Sequence, residues 1–177
     1  MEEEIKIMDA VPEDALGITT VLHKTWLSTY PNEDVGITVE DIEESYKDAY
    51  RNENIKNQER KIAELPSNKK KIVAKQNNIV IGTAMLVKNE ENNELVTMYV
   101  LPEFQHKGIG VALWKELDEF RDKTKDTIVH VANYNEQAIH FYKRIGFVDT
   151  GKRITDERWR MKNGSLIPEM EMVIEAK

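Results

Sequence analysis

The chain has 177 residues, of which 25 are Lys or Arg and 32 are Asp or Glu, and its net charge is -7 at pH 7. This acidic balance argues against a nucleic-acid partner, because proteins that bind nucleic acids usually carry a basic surface. The chain has no cysteine, which excludes disulfides, thiolate metal sites and a cysteine nucleophile. Its acidic start lacks the pattern of a signal peptide, and its longest apolar stretch is too short to span a bilayer. We therefore expect a cytoplasmic protein without a membrane partner.

The first third of the chain predicts one strand followed by helices. Residues 3–10 favour a short strand, and Pro12 suits the first turn of a helix. One apolar face of that helix is predicted by residues that recur at spacings of three and four, Val11, Ala15, Ile18, Leu22 and Trp26. Residues 39–66 are charged and carry only a thin apolar stripe, which predicts a peripheral segment of one long or two shorter helices.

The remainder of the chain predicts strands and helices in a mixed order. Residues 70–102 contain three strand-like runs separated by asparagine-rich turns, which favour antiparallel strands. Beyond them the pattern predicts a helix from about residue 109, a buried strand at 127–132, a helix at 135–146 and two further strands. This order indicates one α+β domain over residues 1–177, with a mixed, mostly antiparallel sheet of about seven strands flanked by helices.

The segment QHKGIG, residues 105–110, lies where a predicted strand passes into a predicted helix. The start of a helix offers unpaired backbone N–H groups and the positive end of the helix dipole, and such a place binds phosphate. Gly108 and Gly110 remove the Cβ atoms that would keep phosphate oxygens from these amides, and Lys107 adds positive charge. The dinucleotide fingerprint is excluded because its third glycine is absent, and the Walker loop because Lys107 precedes the glycines. Alone, the pattern leaves open a tight turn with no ligand.

Two longer stretches give this loop a family context. The stretch LVTMYVLPEFQHKGIGVALWKEL resembles motif A of the GNAT superfamily of acetyl-CoA-dependent N-acetyltransferases, with Gln105, Gly108 and Gly110 at the motif positions. The stretch VANYNEQAIHFYKRIGF resembles motif B of the same family. Together they define a cofactor-binding core at residues 94–148. The element order and the TWLSTY stretch after the first helix are similar to the spermidine acetyltransferase and ribosomal-protein acetyltransferase-like branches.

The resemblance implies a sheet that splays open at the acetyl-CoA site, and it implies the groups that bind this co-substrate. The loop expected to hold the pyrophosphate consists of Gln105, His106, Lys107, Gly108, Ile109 and Gly110. The backbone expected to pair with the pantetheine arm, as an added strand would, is that of Met98, Tyr99 and Val100. Asn135 matches the asparagine of motif B that contacts the cofactor arm. No metal ion is expected, since the four histidines lack the spacing of metal ligands.

Acetyl transfer to an amine needs a base for the amine proton and an acid for the leaving thiolate. Without cysteine, direct attack by the amine in a ternary complex is favoured over an acyl-enzyme. Tyr142 matches the motif B tyrosine that protonates the thiolate in the family, and it is the predicted general acid, with a core aromatic as the alternative. Glu94 lies where several members of the family carry a basic glutamate and is therefore the predicted base, with a solvated carboxylate at the start of a strand as the alternative. Trp26 and Tyr30 are predicted to line the acceptor pocket, with core packing as the alternative for Trp26.

These observations predict an N-acetyltransferase that acts on a primary amine, with a polyamine or another small amine as the first hypothesis. The alternatives are a protein N-terminal or lysine acetyltransferase and a non-catalytic acyl-CoA-binding module. An interaction protein that uses the charged residues 39–64 is a further alternative, and it would have no affinity for acetyl-CoA. The sequence leaves open the acyl-chain length, the oligomeric state, for which a homodimer is one option, and the physiological role.

Overall fold

A computed structural model describes residues 4–177 and gives seven strands and five helices within that part of the chain. The strands are β1 (Ile5–Asp9), β2 (Lys69–Gln76), β3 (Ile79–Lys88), β4 (Asn93–Val100), β5 (Thr127–Ala132), β6 (Val148–Thr155) and β7 (Pro168–Ile174). The helices are α1 (Ala15–Thr29), α2 (Val39–Tyr46), α3 (Asn52–Ala63), α4 (Ile109–Phe120) and α5 (Glu136–Arg144). The charged segment after α1 therefore folds as two shorter helices, α2 and α3.

The seven strands form one sheet in the order β1-β2-β3-β4-β5-β7-β6. Every neighbouring pair is antiparallel except β4 and β5, which are parallel. This mixed, mostly antiparallel sheet with flanking helices confirms the fold class that the sequence predicts. Among the residues described, no helix combines the length and the apolar composition that crossing a membrane requires.

The sheet opens between β4 and β5. Only two residue pairs join these strands, Asn93 with Thr127 and Glu94 with Ile128. Asn93 is fully buried and holds this closed end together, because its Nδ2 donates to the Asp122 carbonyl oxygen at 2.8 Å and its Oδ1 accepts from the Asp122 N–H at 2.8 Å. The rest of β4 has no strand partner on this side within residues 4–177, so its free edge lines a cleft.

The buried apolar side chains form two clusters. The larger cluster packs α1 and α4 onto the sheet. The smaller cluster contains Trp26 and Tyr30 at the end of α1 and Ala132 at the end of β5, and Tyr99 of β4 packs against it. Because β4 and β5 both contribute to the smaller cluster, this cluster lies at the open end of the cleft.

Strand β7 has one apolar and one acidic face, as its alternating sequence predicts. Met170 and Met172 belong to the larger apolar cluster. Glu169 and Glu171 lie on the opposite face, because successive side chains of a strand point to opposite sides of the sheet. Glu169 pairs in register with Ala132, so this acidic face continues the surface that carries the smaller cluster.

Candidate active site

The glycine loop has the backbone that its sequence requires. Gly108 precedes α4 with a φ of +80°, in the left-handed region that glycine adopts without strain, and no atom lies within 4 Å of the place where its Cβ would stand. Gly110 lies against α5, because a Cβ there would stand 3.1 Å from the Phe141 ring. The first glycine therefore keeps the mouth of the loop open, and the second allows the two helices to approach each other.

The loop presents a row of free backbone donors. The first backbone hydrogen bond of α4 runs from the Ala112 N–H to the Gly108 carbonyl oxygen, at 3.0 Å. In the described part of the chain, the N–H groups of residues 106–111 donate to no backbone carbonyl, and no side chain caps the helix start. Lys107 adds a positive charge beside them, with its Nζ 5.0 Å from the centre of the Phe104 ring. This arrangement suits an anion such as a phosphate.

Gln105 joins the loop to its neighbours. Its Nε2 donates to the Val100 carbonyl oxygen at 3.0 Å, and its Oε1 accepts from Gln137 of α5 at 2.7 Å. The His106 ring nitrogen Nε2 lies 3.3 Å from the same amide nitrogen of Gln137. The predicted anion loop, the end of β4 and the start of α5 are thus one connected unit.

The free edge of β4 offers backbone groups at alternate residues. The Leu101 N–H donates to the Ile81 carbonyl oxygen at 2.9 Å, and the register pairs Tyr99 with Thr83 of β3. Hydrogen-bonding groups alternate between the two sides of an antiparallel strand. The backbone groups of Tyr99 therefore face β3, whereas those of Met98 and Val100 face the cleft.

Tyr142 is 7% exposed and packs against the rings of Phe141 and Phe147. Burial, and after it the nearby Tyr99 phenol, raises the pKa of Tyr142 well above the ordinary value for a phenol. Within residues 4–177, the Tyr142 hydroxyl has no hydrogen-bond partner. A neutral phenol without a protein partner is available to give its proton to a strong base such as a thiolate.

The other two residues predicted from the motifs have structural contacts of their own. Asn135 caps α5, because its Oδ1 accepts a hydrogen bond from the Ala138 N–H at 3.1 Å. Glu94 lies at the closed end of the cleft, where β4 still pairs with β5. Asp156 chiefly, and Glu94 and Glu169 to a smaller extent, raise the pKa of Arg158. Glu94 therefore lies near an arginine that is already paired with another carboxylate.

The residues predicted for the acceptor pocket lie together at the open end of the cleft. Trp26 and Tyr30 are each 8% exposed, with ring centres 4.7 Å apart. The Tyr30 hydroxyl lies 2.8 Å from the Tyr99 hydroxyl, and the Tyr134 hydroxyl donates to the Tyr30 carbonyl oxygen at 3.0 Å. Trp26 therefore belongs to the core, as the alternative interpretation holds, and it supports the Tyr30 and Tyr99 hydroxyl groups.

Sequence reasoning missed Glu169 and the Tyr99 side chain. Glu169 is half-buried beside Ala132, and burial raises its pKa above the usual range for a carboxylic acid. Its sequence signal is weak, because it forms part of the regular alternation of β7. Tyr99 is predicted from its backbone alone, although its hydroxyl contacts Tyr30. The neighbours of both side chains come from distant parts of the chain.

The chain matches the acetyltransferase (GNAT) family over residues 38–147, which is more than half of its length. Among solved structures, PaiA N-acetyltransferase from Thermoplasma acidophilum, in complex with coenzyme A, is 24% identical with a TM-score of 0.70, and the match covers 95% of this chain and 98% of that one. The structure of yncA from Salmonella typhimurium with its cofactor acetyl-CoA is 19% identical with a TM-score of 0.66, covering 98% and 95%.

The ribosomal-protein-S18-alanine N-acetyltransferase from Escherichia coli is 14% identical with a TM-score of 0.62, covering 98% of this chain and 95% of that one. Likeness at these identities concerns the fold, and the family match covers both the glycine loop and the α5 tyrosine. The chain therefore belongs to the GNAT family of acetyltransferases.

Proposed function

We propose that this protein transfers the acetyl group of acetyl-CoA to a small primary amine by direct attack in a ternary complex. The observation that carries this proposal is the cleft between β4 and β5. The free amides at the start of α4 and the Tyr30–Tyr99 hydroxyl pair both lie at its open end: the amides belong to the loop that follows β4, and the hydroxyl pair joins α1 to β4. An extended, phosphate-bearing donor and an amine would thus meet beside Tyr142.

The residues at the cleft fit acetyl-CoA. The glycine loop leaves open the space that a side chain at residue 108 would occupy, and its amides and Lys107 suit a pyrophosphate. The cleft-facing backbone groups of Met98 and Val100 suit the amides of a pantetheine arm, as in the addition of a strand. The Asn135 side chain adds an Nδ2 donor beside them, since its Oδ1 is used in the helix cap.

Acetyl-CoA supplies an activated acyl carbon, and the protein supplies the proton transfers. The amine nitrogen forms a bond to the carbonyl carbon, and the bond between that carbon and sulfur breaks. Tyr142 gives its proton to the sulfur, and the nitrogen gives up a proton to a base, for which the motif comparison suggests Glu94. Backbone N–H groups on the free edge of β4 serve as donors to the carbonyl oxygen as negative charge develops there.

The contacts of residues 156–167 favour a small acceptor over a folded protein. Trp159 packs on Trp26, with ring centres 5.3 Å apart. The Asn163 amide donates to the Gly36 carbonyl oxygen at 2.8 Å, and the Ser165 hydroxyl donates to the same oxygen at 3.0 Å. These bonds tie the segment before β7 to the connection between α1 and α2, beside the cluster that contains Trp26 and Tyr30. A polyamine or another small amine suits a site next to this cross-linked segment better than a protein surface does.

The first experiment is thermal unfolding of the protein with and without acetyl-CoA, followed by an assay for coenzyme A release with spermidine, an alanyl peptide and an N-blocked lysyl peptide. A ligand that binds only the folded state raises the melting temperature. A thiol reagent then reports only coenzyme A, because the protein has no cysteine.

A rise in melting temperature with acetyl-CoA, together with amine-dependent release of coenzyme A, is the expected result. A rise without turnover of any amine would favour an acyl-CoA-binding module. Preferred turnover of a peptide would favour a protein acetyltransferase. No rise at millimolar acetyl-CoA would contradict the proposal.

A further inference from the structure

Two glutamates on the same face of β7 have different surroundings. Glu171 is held by Lys152, whose Nζ donates to its Oε2 at 2.9 Å, and by the His130 ring, whose Nε2 lies 3.2 Å from the same oxygen. Glu169, two residues earlier, makes no hydrogen bond or ion pair with residues 4–177, although it is half-buried. A half-buried carboxylate without a protein partner is costly to keep, so a ligand or a chemical role is a reasonable explanation for it.

Glu169 lies near the open end of the cleft, where the acceptor amine is proposed to bind. It pairs with Ala132, the last residue of β5, four residues beyond the Ile128 that still pairs with β4. Ala132 packs in the cluster that contains Tyr30, and Tyr99 packs on that cluster from β4. Glu169 therefore faces the open end of the cleft, whereas Glu94 lies at the closed end.

The groups that face Glu169 come from every element around it. Burial chiefly, and then the negative charge of Glu169, raises the pKa of Tyr134 to about 12. The charged and titratable groups that interact electrostatically with Glu169 are Tyr30, Tyr99, His130, Tyr134, Asp156 and Arg158. Of these, His130 is engaged with Glu171, Arg158 is paired with Asp156 at 2.6 Å, and the three tyrosines are neutral.

The same pair of hydroxyls links Glu169 to Tyr142. Tyr30 and Tyr99 bond to each other through their hydroxyls, at 2.8 Å. Tyr142 interacts electrostatically with both of them, and so does Glu169. A proton donor on α5 and a proton acceptor on β7 are thus both near enough to this hydroxyl pair to act on it electrostatically. If an amine and a thioester react beside this pair, Glu169 can accept the proton of the amine and Tyr142 can donate a proton to the sulfur of the thioester.

We propose that Glu169 is the catalytic base that takes the proton from the acceptor amine. This inference rests on the proposed N-acetyltransferase function and assigns to Glu169 the role for which the motif comparison suggests Glu94. Its carboxylate first attracts the ammonium form of the acceptor, and its partial exposure lets it pass the proton on to water. Burial raises the basicity of this carboxylate, which makes it a better acceptor for an ammonium proton than an exposed glutamate.

The protons balance in this scheme. An ammonium acceptor loses two protons when it becomes an amide. Glu169 takes the first proton and passes it to water, which leaves a neutral amine to form the N–C bond. The C–S bond breaks, and the sulfur takes the proton of Tyr142. The second proton leaves the nitrogen and restores the Tyr142 hydroxyl. The products are the acetylated amine, coenzyme A and one proton in solution.

The test compares Glu169→Gln, Glu169→Asp and Glu94→Gln with a control variant, Glu175→Gln, which removes an exposed carboxylate just after β7. Coenzyme A release is measured between pH 5 and pH 9 with spermidine, or with the peptide from the same panel that turns over fastest. The expected loss in kcat for Glu169→Gln is about a hundredfold, as is typical when a general base is removed. The decrease in rate on the acidic side of the pH profile should be absent in Glu169→Gln. Glu169→Asp should retain part of the wild-type rate.

A positioning or structural role would give other results. The acetyl-CoA affinity of Glu169→Gln should match that of the wild type, and the variant should melt at no lower temperature, since the two side chains have the same shape. An increase in the amine KM alone, with an unchanged kcat and pH profile, would overturn the catalytic role. A hundredfold loss in Glu94→Gln instead of Glu169→Gln would overturn it as well. If the wild-type protein binds acetyl-CoA but turns over no amine, the proposed function fails and this inference fails with it.

Discussion

The proposed site at the open end of the β4–β5 cleft has two parts, the donor end and the acceptor end, which are built in different ways. The donor end comes mainly from one continuous stretch, residues 98–110, and uses backbone amides at a helix start. The acceptor end gathers side chains from α1, β4, β5, β7 and the segment before β7. The backbone conformation of the donor end requires glycine at two positions, and most other side chains there are free to vary. The acceptor end depends on the identity and surroundings of several side chains.

This difference implies that substitutions affect the two parts unequally. Backbone amides bind phosphate whatever side chains surround them, so the donor end tolerates change. The acceptor end is made of aromatic hydroxyls and carboxylates whose charges act on one another, so one substitution there alters the pKa of several groups. Substitutions at the two ends should therefore differ in which substrate they affect.

The largest effect is expected at the donor end, for Gly108→Glu. This change adds a negative charge and a side chain in the space where phosphate is proposed to bind, so acetyl-CoA affinity should fall by roughly a hundredfold or more. Isothermal titration calorimetry measures this affinity. The matched control is Gly151→Glu, because Gly151 has a φ of +82° and equally open surroundings at a distance from the cleft. Equal losses in both variants would show that backbone strain, and not phosphate binding, is the cause.

Tyr142→Phe should lower kcat by about a hundredfold while acetyl-CoA affinity stays unchanged, because it removes only the proton for the leaving sulfur. The ring stays in place between Phe141 and Phe147, so the fold should be kept. Steady-state kinetics and calorimetry separate the two effects. Tyr50→Phe is the control, since it removes the hydroxyl of an exposed tyrosine that hydrogen-bonds to His23. A Tyr142→Phe variant with wild-type kcat would exclude Tyr142 as the acid.

A smaller effect is expected at the acceptor end, for Tyr30→Phe. This change removes the hydroxyl that bonds to Tyr99, and a neutral hydrogen bond contributes about 1 kcal/mol, so kcat/KM for the amine should fall by about fivefold. The KM for acetyl-CoA should not change. The measurement is a pair of kinetic titrations, one for each substrate. An equal change in both KM values would contradict the separation of the cleft into a donor end and an acceptor end.

The order of the elements and the backbone of the glycine loop are easier to predict from the sequence than the surroundings of Glu169 and the Tyr99 hydroxyl. The order of strands and helices and the glycine loop are local patterns, and the structure has both. The break between α2 and α3 is less evident, because residues 47–51 contain neither proline nor glycine and Arg51 caps α3 without a side-chain bond. Glu169 and Glu171 are equivalent in the alternation of β7. They differ only because the register with β5 and β6 brings His130 and Lys152 to Glu171.

The smallest effect is expected in the pH dependence of the melting temperature, which should differ between variants of Glu169 and Glu171. The pKa of Glu169 is raised in the folded state, so the folded protein binds this proton more tightly than the unfolded chain does. Both states hold the proton below the unfolded pKa of about 4.3, and stability is lost as the pH rises through the folded pKa. Glu169→Gln removes this penalty. It should leave the melting temperature unchanged at pH 4 and raise it by about 1–2 °C at pH 8.

Glu171→Gln should do the opposite. Partial burial alone would raise its pKa, but the hydrogen bonds from Lys152 and His130 keep the pKa of Glu171 below its usual range. Its contribution to stability is therefore present above the unfolded pKa and is lost as the pH falls through the folded pKa. The melting temperature of Glu171→Gln should lie below that of the wild type at pH 8, and the two should converge at low pH. Differential scanning calorimetry at both pH values measures each variant. If both variants shifted in the same direction at pH 8, Glu169 would not be the uncompensated carboxylate on which its proposed role as base depends.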